Sequence, residues 1–164
     1  MKKLNATLFV AYFCLTMVIV GGTIFCVMVE YPNWFSNVPS SLETTRNFYK
    51  VLHPGYFFQT FAPLTLLTGI AAAAFGWRNA RPRNLVLFSL AAMVAAELLT
   101  FIYIYPRLNI MLTPEAATNS VEMLRRAAAD FTNADRIRTL LTFSGGGFAL
   151  AAMLRFLRLG SGMK

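Results

Sequence analysis

Residues 85–105 read LVLFSLAAMVAAELLTFIYIY. The run is apolar over the roughly 20 residues that a helix needs to cross the hydrocarbon layer of a bilayer. Arg81 and Arg83 fence it on one side, Pro106 and Arg107 on the other, and Glu97 stands inside it. A charged side chain in a spanning helix is costly, so it faces a bundle interior or a wet cavity and marks function.

Working outward, three further runs reach the same length, over about residues 8–29, 56–77 and 137–157. With 57% hydrophobic and 13% charged residues, the chain is far from a soluble average. The runs do not alternate as barrel strands would, so helices are the spanning element. The fold class expected is all-α: a single transmembrane domain over residues 1–164, an integral membrane four-helix bundle with two short extracytoplasmic amphipathic helices.

The formal charge of +8 would fit a nucleic-acid partner, but its placement argues otherwise. Lys2 and Lys3 precede the first run, Arg78, Arg81 and Arg83 fill the short second connection, and Arg155, Arg158 and Lys164 follow the last run, with no acidic residue among them. The two longer connections mix signs, with Glu30, Glu43, Arg46 and Lys50 in one and Arg107, Arg125, Arg126, Arg136 and Arg138 against Glu115, Glu122, Asp130 and Asp135 in the other. By the positive-inside rule both termini are cytoplasmic and both longer connections lie outside a bacterial inner (plasma) membrane. Nucleic acid is not an expected partner; membrane lipid and an apolar small molecule are, and a homo-oligomer stays open.

In the first span Tyr12, Thr16, Thr23, Cys26 and Glu30 fall near one face, which should point into the bundle. Cys14 and Cys26, about 18 Å apart along that helix, cannot bridge, and both are expected to be buried thiols. Tyr31, Trp34 and Phe35 form an aromatic group suited to anchoring at the outer interface. Ser40 and Glu43 have the spacing of a capping box opening a short helix, with Phe48, Tyr49 and Leu52 as the face laid on the bundle. His53, the only histidine, then lies at the outer mouth of the second span, where Tyr56, Gln59, Thr60 and the Pro63 kink make the outer half polar. Residues 69–76 are nearly all Gly and Ala and suit close packing, so a pocket should open outward.

Thr113, Pro114 and Glu115 read as the start of a second external helix reaching about Phe131, with Val121, Leu124, Ala128 and Phe131 on its apolar face. The last span opens at Asn133, Asp135, Arg136, Arg138 and Thr139. Arg138 shares a face with Asp135 and Thr142 and could neutralise Glu97 or Glu30. Gly145, Gly146 and Gly147 permit close approach and are no phosphate loop, since neither strand nor Lys-Ser/Thr flanks them.

The four-span pattern, the Tyr105-Pro106-Arg107-Leu108-Asn109 exit of the third span and the spaced Arg136 and Arg138 at the start of the fourth resemble the anthrone-oxygenase-like family of small membrane proteins. Phe131 stands where that family's pattern has a tryptophan. The resemblance implies oxidation of an activated methylene in a flat aromatic ketone to a quinone, without metal or other cofactor. Such chemistry needs a base, donors for the developing oxyanion and a dry slot. His53 or Glu97 would be the base, Arg138 and Asn109 the donors, and Tyr56 and Tyr103 the slot, with Glu30, Gln59, Thr100, Asn133, Arg136 and Thr142 as further substrate-binding groups. The function expected is an apolar, aromatic or quinone-like ligand held in an outward-facing intramembrane pocket, with a cofactor-independent oxygenase as one form of it. The rival is a non-catalytic lipid or hydrophobic-ligand binder, or a stabilising subunit of a membrane complex. One histidine beside Glu30 and Glu97 falls short of a metal-ligand cluster.

Overall fold

A computed structural model describes residues 2–76 and 80–160, with the side chains of 4–76 and 81–158. The expected end of the second span at Trp77, Arg78 beyond it and Lys164 lie outside the described residues. Helix α1 (Lys2–Phe25) continues through a wide π turn (Cys26–Glu30) into α2 (Tyr31–Trp34). Then come α3 (Ser40–Phe48), α4 (Pro54–Phe75) and α5 (Ala80–Leu99), which passes through a second π turn (Thr100–Ile104) into α6 (Tyr105–Leu112). A 3-10 turn (Pro114–Thr118) leads to α7 (Val121–Gly160). Among the described residues all regular structure is helical, and Leu4–Trp34, Pro54–Phe75, Arg81–Leu112 and Val121–Arg158 are long and apolar enough to cross a membrane.

The two π turns share a cause. Each runs into a Tyr-Pro pair, Tyr31-Pro32 or Tyr105-Pro106, and proline has no N–H for the carbonyl four residues back and crowds it. The helix widens, and the Tyr31 and Tyr105 amides bond five residues back, to the carbonyls of Cys26 and Thr100. In α4, Pro63 likewise leaves the Gln59 carbonyl without its usual donor, yet the helix runs unbroken to Phe75.

The polar stripe of α1 is the buried one: Tyr12, Thr16, Thr23 and Cys26 are enclosed, while Val18, Phe25 and Val29 are exposed. The Tyr12 hydroxyl donates to Ser89 Oγ (2.6 Å), which donates to the Gly145 carbonyl (2.7 Å), so one hydrogen-bonded chain ties α1, α5 and α7. Close approach is spent where side chains cross. A Cβ at Gly69 would meet the Tyr12 ring at 2.6 Å, one at Gly145 the Met93 sulfur at 2.9 Å, and one at Gly22 the Phe57 ring.

Three expectations need correction. The external helix expected over residues 114–131 is divided: Pro114–Thr118 is a 3-10 turn, and from Val121 the rest is continuous with the expected fourth span in one helix of 40 residues. Its polar residues do not break it because they are satisfied within helical geometry: Asp135 accepts from the Arg138 and Thr139 side chains, and Thr132 donates to the Ala128 carbonyl. The Ser40–Glu43 capping box does not form. Pro39 is the N-cap, Ser40 Oγ turns back to the Asn37 carbonyl (2.9 Å), and α3 buries Leu42 and Thr45 while Phe48 is 78% exposed and Leu52 also faces out. Cys14 is exposed, whereas Cys26 is buried.

Candidate functional site

At the α3 end of the bundle a cavity of about 530 Å³ opens among the spans, within the range of small-molecule sites. One wall is α4, with Phe58, Gln59, Ala62, Pro63 and Leu66. Facing it are Glu97 of α5, Thr100, Phe101 and Ile104 of the π turn, and Tyr105, Leu108 and Asn109 of α6. Cys26, Tyr31 and Trp34 close the back together with Phe131 and Arg138 of α7, and Thr45 and Arg46 of α3 with Tyr49 just past its end form the roof beside His53. The π turns therefore sit on two sides of the cavity, and each re-aims a tyrosine toward it. The Tyr-Pro pairs were the sequence signal for this.

The deep end holds a cation. Arg138, 8% exposed, donates from Nε to Asp135 Oδ1 (2.8 Å) and from Nη2 to the Tyr31 hydroxyl (3.2 Å), and its Nη2 lies within ion-pair distance of the same Asp135 oxygen (2.6 Å). Its guanidinium also lies 5.5 Å from the centre of the Phe58 ring. Asp135 is the local partner three residues back, so the neutralising role expected of Glu97 or Glu30 is already filled. Glu30 instead locks the roof: its Oε2 accepts from Trp34 Nε1 (3.0 Å) and from the Tyr49 hydroxyl. Burial, and then the Glu30 carboxylate, push the Tyr49 phenol above its ordinary pKa, which keeps its proton in that bond.

Glu97 is different. It lines the cavity half-buried, and among the described residues no side chain donates a hydrogen bond to it or pairs with it within ion-pair distance. A carboxylate so placed can accept a proton or a hydrogen bond from a bound molecule.

Of the residues expected in the site, His53, Gln59, Glu97, Thr100, Asn109 and Arg138 line one cavity. Glu30 stands behind it through Trp34 and Tyr49. Tyr56 is half-exposed against the His53 ring, and Tyr103 stacks under Arg107, 3.5 Å from guanidinium carbon to ring centre; both lie outside the lining. Asn133 borders a separate shallow hollow with Arg125 and Phe35, Arg136 is exposed, and Thr142 is buried with its hydroxyl on the Arg138 carbonyl (2.9 Å). Tyr31, Trp34 and Tyr49, expected as interface or packing aromatics, form the back and roof, and Phe58 and Phe131 supply the flat apolar sides. Trp34 four residues after Glu30 was the readable hint of that pair.

His53 caps α4, its Nδ1 accepting from the Gly55 amide (3.0 Å), and partial burial lowers its pKa below the ordinary histidine value. Protonation would cancel the cap. The folded state therefore disfavours charge on His53, and this contribution is complete above the unfolded value of about 6.5 and lost as pH falls through it toward the lower folded value. The thermal midpoint in detergent should fall from about pH 7 to about pH 5, and His53→Asn, which keeps an acceptor but does not titrate, should flatten that fall. An equal decline in both proteins would show that other groups carry it.

No protein-family model, curated protein or solved structure matches the chain. Among the described residues no three His, Cys, Asp or Glu side chains gather closely enough to hold a metal ion.

Proposed function

We propose that this chain is a multi-pass protein of a bacterial inner membrane, with both termini cytoplasmic and α3 and the start of α7 outside, that binds an apolar aromatic or quinone-like molecule in the cavity. The charge distribution supports the orientation, since Arg81, Arg83, Arg155 and Arg158 gather at the end of the bundle away from α3. Exposed Phe48, Val51 and Leu52 beside α3 suit a headgroup layer.

The observation that carries the ligand reading is the cavity's composition: flat Phe58, Phe131, Tyr31 and Trp34 around a few separated polar points, namely Arg138, Glu97, Gln59 and Asn109. Aromatic sides bury a planar molecule, and isolated donors and acceptors fix its oxygens. Mass spectrometry of the small molecules that stay with gently purified protein tests this. An aromatic or quinone-type molecule is expected, at reduced occupancy in Glu97→Gln. Bulk phospholipid alone, equal in both proteins, would instead favour a lipid binder or a stabilising subunit of a larger complex.

Glu97, to which no described side chain donates a hydrogen bond, favours a catalytic form of this reading, a cofactor-independent oxygenase of the anthrone-oxygenase type. Glu97 takes a proton from the activated methylene, and the carbanion adds dioxygen to give a peroxide anion. The proton returns, the hydroperoxide loses water, and a carbonyl replaces the methylene. Arg138 is the donor facing the oxyanion, Asn109 meets the far end of the molecule, and the aromatic walls exclude water.

A further inference from the structure

The cavity's sides are unequally closed. Toward α1, the Phe57 ring of α4 packs down on Gly22. The roof is tied by the contacts of Glu30 with Trp34 and Tyr49. On the remaining side α4 packs against α5, with Ala62 and Met93 in one buried cluster, but it makes little contact with the π turn and α6 that face it across the cavity. Across that seam, among the described residues, a single hydrogen bond reaches from Gln59 Nε2 to the Tyr105 hydroxyl, at a long 3.4 Å. Gln59, Pro63 and Phe101 line the cavity and are at the same time exposed, so the cavity communicates with the outside between them.

These residues lie within Pro54–Phe75 and Arg81–Leu112, the lengths able to cross the bilayer. In the orientation proposed above they face the bilayer, which neither competes for the Gln59–Tyr105 bond as water would nor admits a charged solute. Polarity runs from the paired cation of Arg138 and the free carboxylate of Glu97 at the inner end to Pro63 and Phe101 at the seam.

Resting on the ligand reading above, we infer that the seam between α4 and α6 is a lateral gate, latched by Gln59 and Tyr105, through which the ligand arrives from the lipid. The ligand class that fits is a membrane-dissolved amphiphile whose oxygen-bearing aromatic head enters the cavity while a hydrocarbon tail stays in the seam. The tail lies against Phe101 and Pro63 and continues the acyl layer. Across the seam, opening breaks one long hydrogen bond, and α4 moves outward about its Gly69 contact with α1 and α5, loosening the apolar contacts of Phe57 and Ala62 as it does so.

Trp34 lines the cavity and reports on it. In a Trp77→Phe, Cys14→Ser background held in phosphatidylcholine nanodiscs, Trp34 fluorescence is followed on adding a decyl-tailed 1,4-benzoquinone or its tailless parent, with and without the pair Gln59→Cys and Tyr105→Cys bridged by a bifunctional methanethiosulfonate. The tailed probe should quench saturably and at lower concentration than the parent. Bridging should slow that quenching by about tenfold or more, as expected of a locked lid, and a thiol reductant should restore it, which controls for misfolding. A bridge that changes neither rate nor extent, or a tailless parent that binds as well, overturns the lateral gate while leaving the ligand reading standing. Quenching by neither probe overturns the quinone-type ligand, and the gate falls with it.

Discussion

Asp135→Ala is expected to be the most destabilising single substitution in this chain, costing about 3–5 kcal/mol, because it leaves the Arg138 guanidinium buried without its counterion. Arg138 and Asp135 are 8% and 4% exposed, and this one carboxylate takes the Nε hydrogen bond and lies 2.6 Å from Nη2, leaving only the Tyr31 hydroxyl as a further hydrogen-bond partner. The Tyr31 hydroxyl at 3.2 Å and the Phe58 face cannot neutralise a full charge. Unfolding in mixed micelles should show the loss directly. The pair itself is a different matter, since exchanging a buried ion pair for apolar groups of similar volume is often close to neutral. Asp135→Leu with Arg138→Met should therefore recover most of the stability while disturbing the floor of the cavity. A double variant as unstable as the single would mean that Arg138 is held for its packing against Phe58 and Tyr31 rather than for its charge.

That pair marks where sequence reading stopped short. Hydropathy located the four spans, because burial of backbone in hydrocarbon leaves few alternatives, and helical spacing found the inward stripe of α1 from Tyr12 to Cys26. The shared face of Asp135 and Arg138 was equally visible. Which carboxylate would win was not, since Glu97 and Glu30 compete only through tertiary placement and the local partner needs none. The fusion of the second external helix with the fourth span was hidden for a related reason. Asn133, Asp135 and Thr139 have the composition of a helix start, yet the Asp135 and Thr139 side chains bond each other and the backbone ladder runs on intact. Tyr49 reached Glu30 from the end of α3, and Tyr31 reached Arg138 from the start of α2, contacts that no periodicity along a single helix could encode. The re-aimed tyrosines were legible in principle, because proline after Tyr31 and Tyr105 demands a wider turn.

The second large effect belongs to Glu97. In the oxygenase form of the proposal, Glu97→Gln should lower turnover of an anthrone-type ketone at saturating substrate by about 10²–10⁴, the range of a positioned base. Gln keeps the volume and an acceptor oxygen but cannot take the methylene proton. His53 is the competing base, yet its Nδ1 already caps α4 and the ring lies beside the roof against Tyr56, away from the Arg138 end where an oxyanion would develop. His53→Ala should thus change turnover by less than about tenfold. The two substitutions differ in what else they touch: loss of a cap affects stability and leaves the cavity's inner end alone, whereas Glu97 holds no other side chain in place, so its loss should appear in the rate with little change in the melting midpoint. A large rate loss in His53→Ala with Glu97→Gln unimpaired would move the base to the mouth of the cavity. The substrate's methylene would then have to lie under α3, with its head turned away from Arg138.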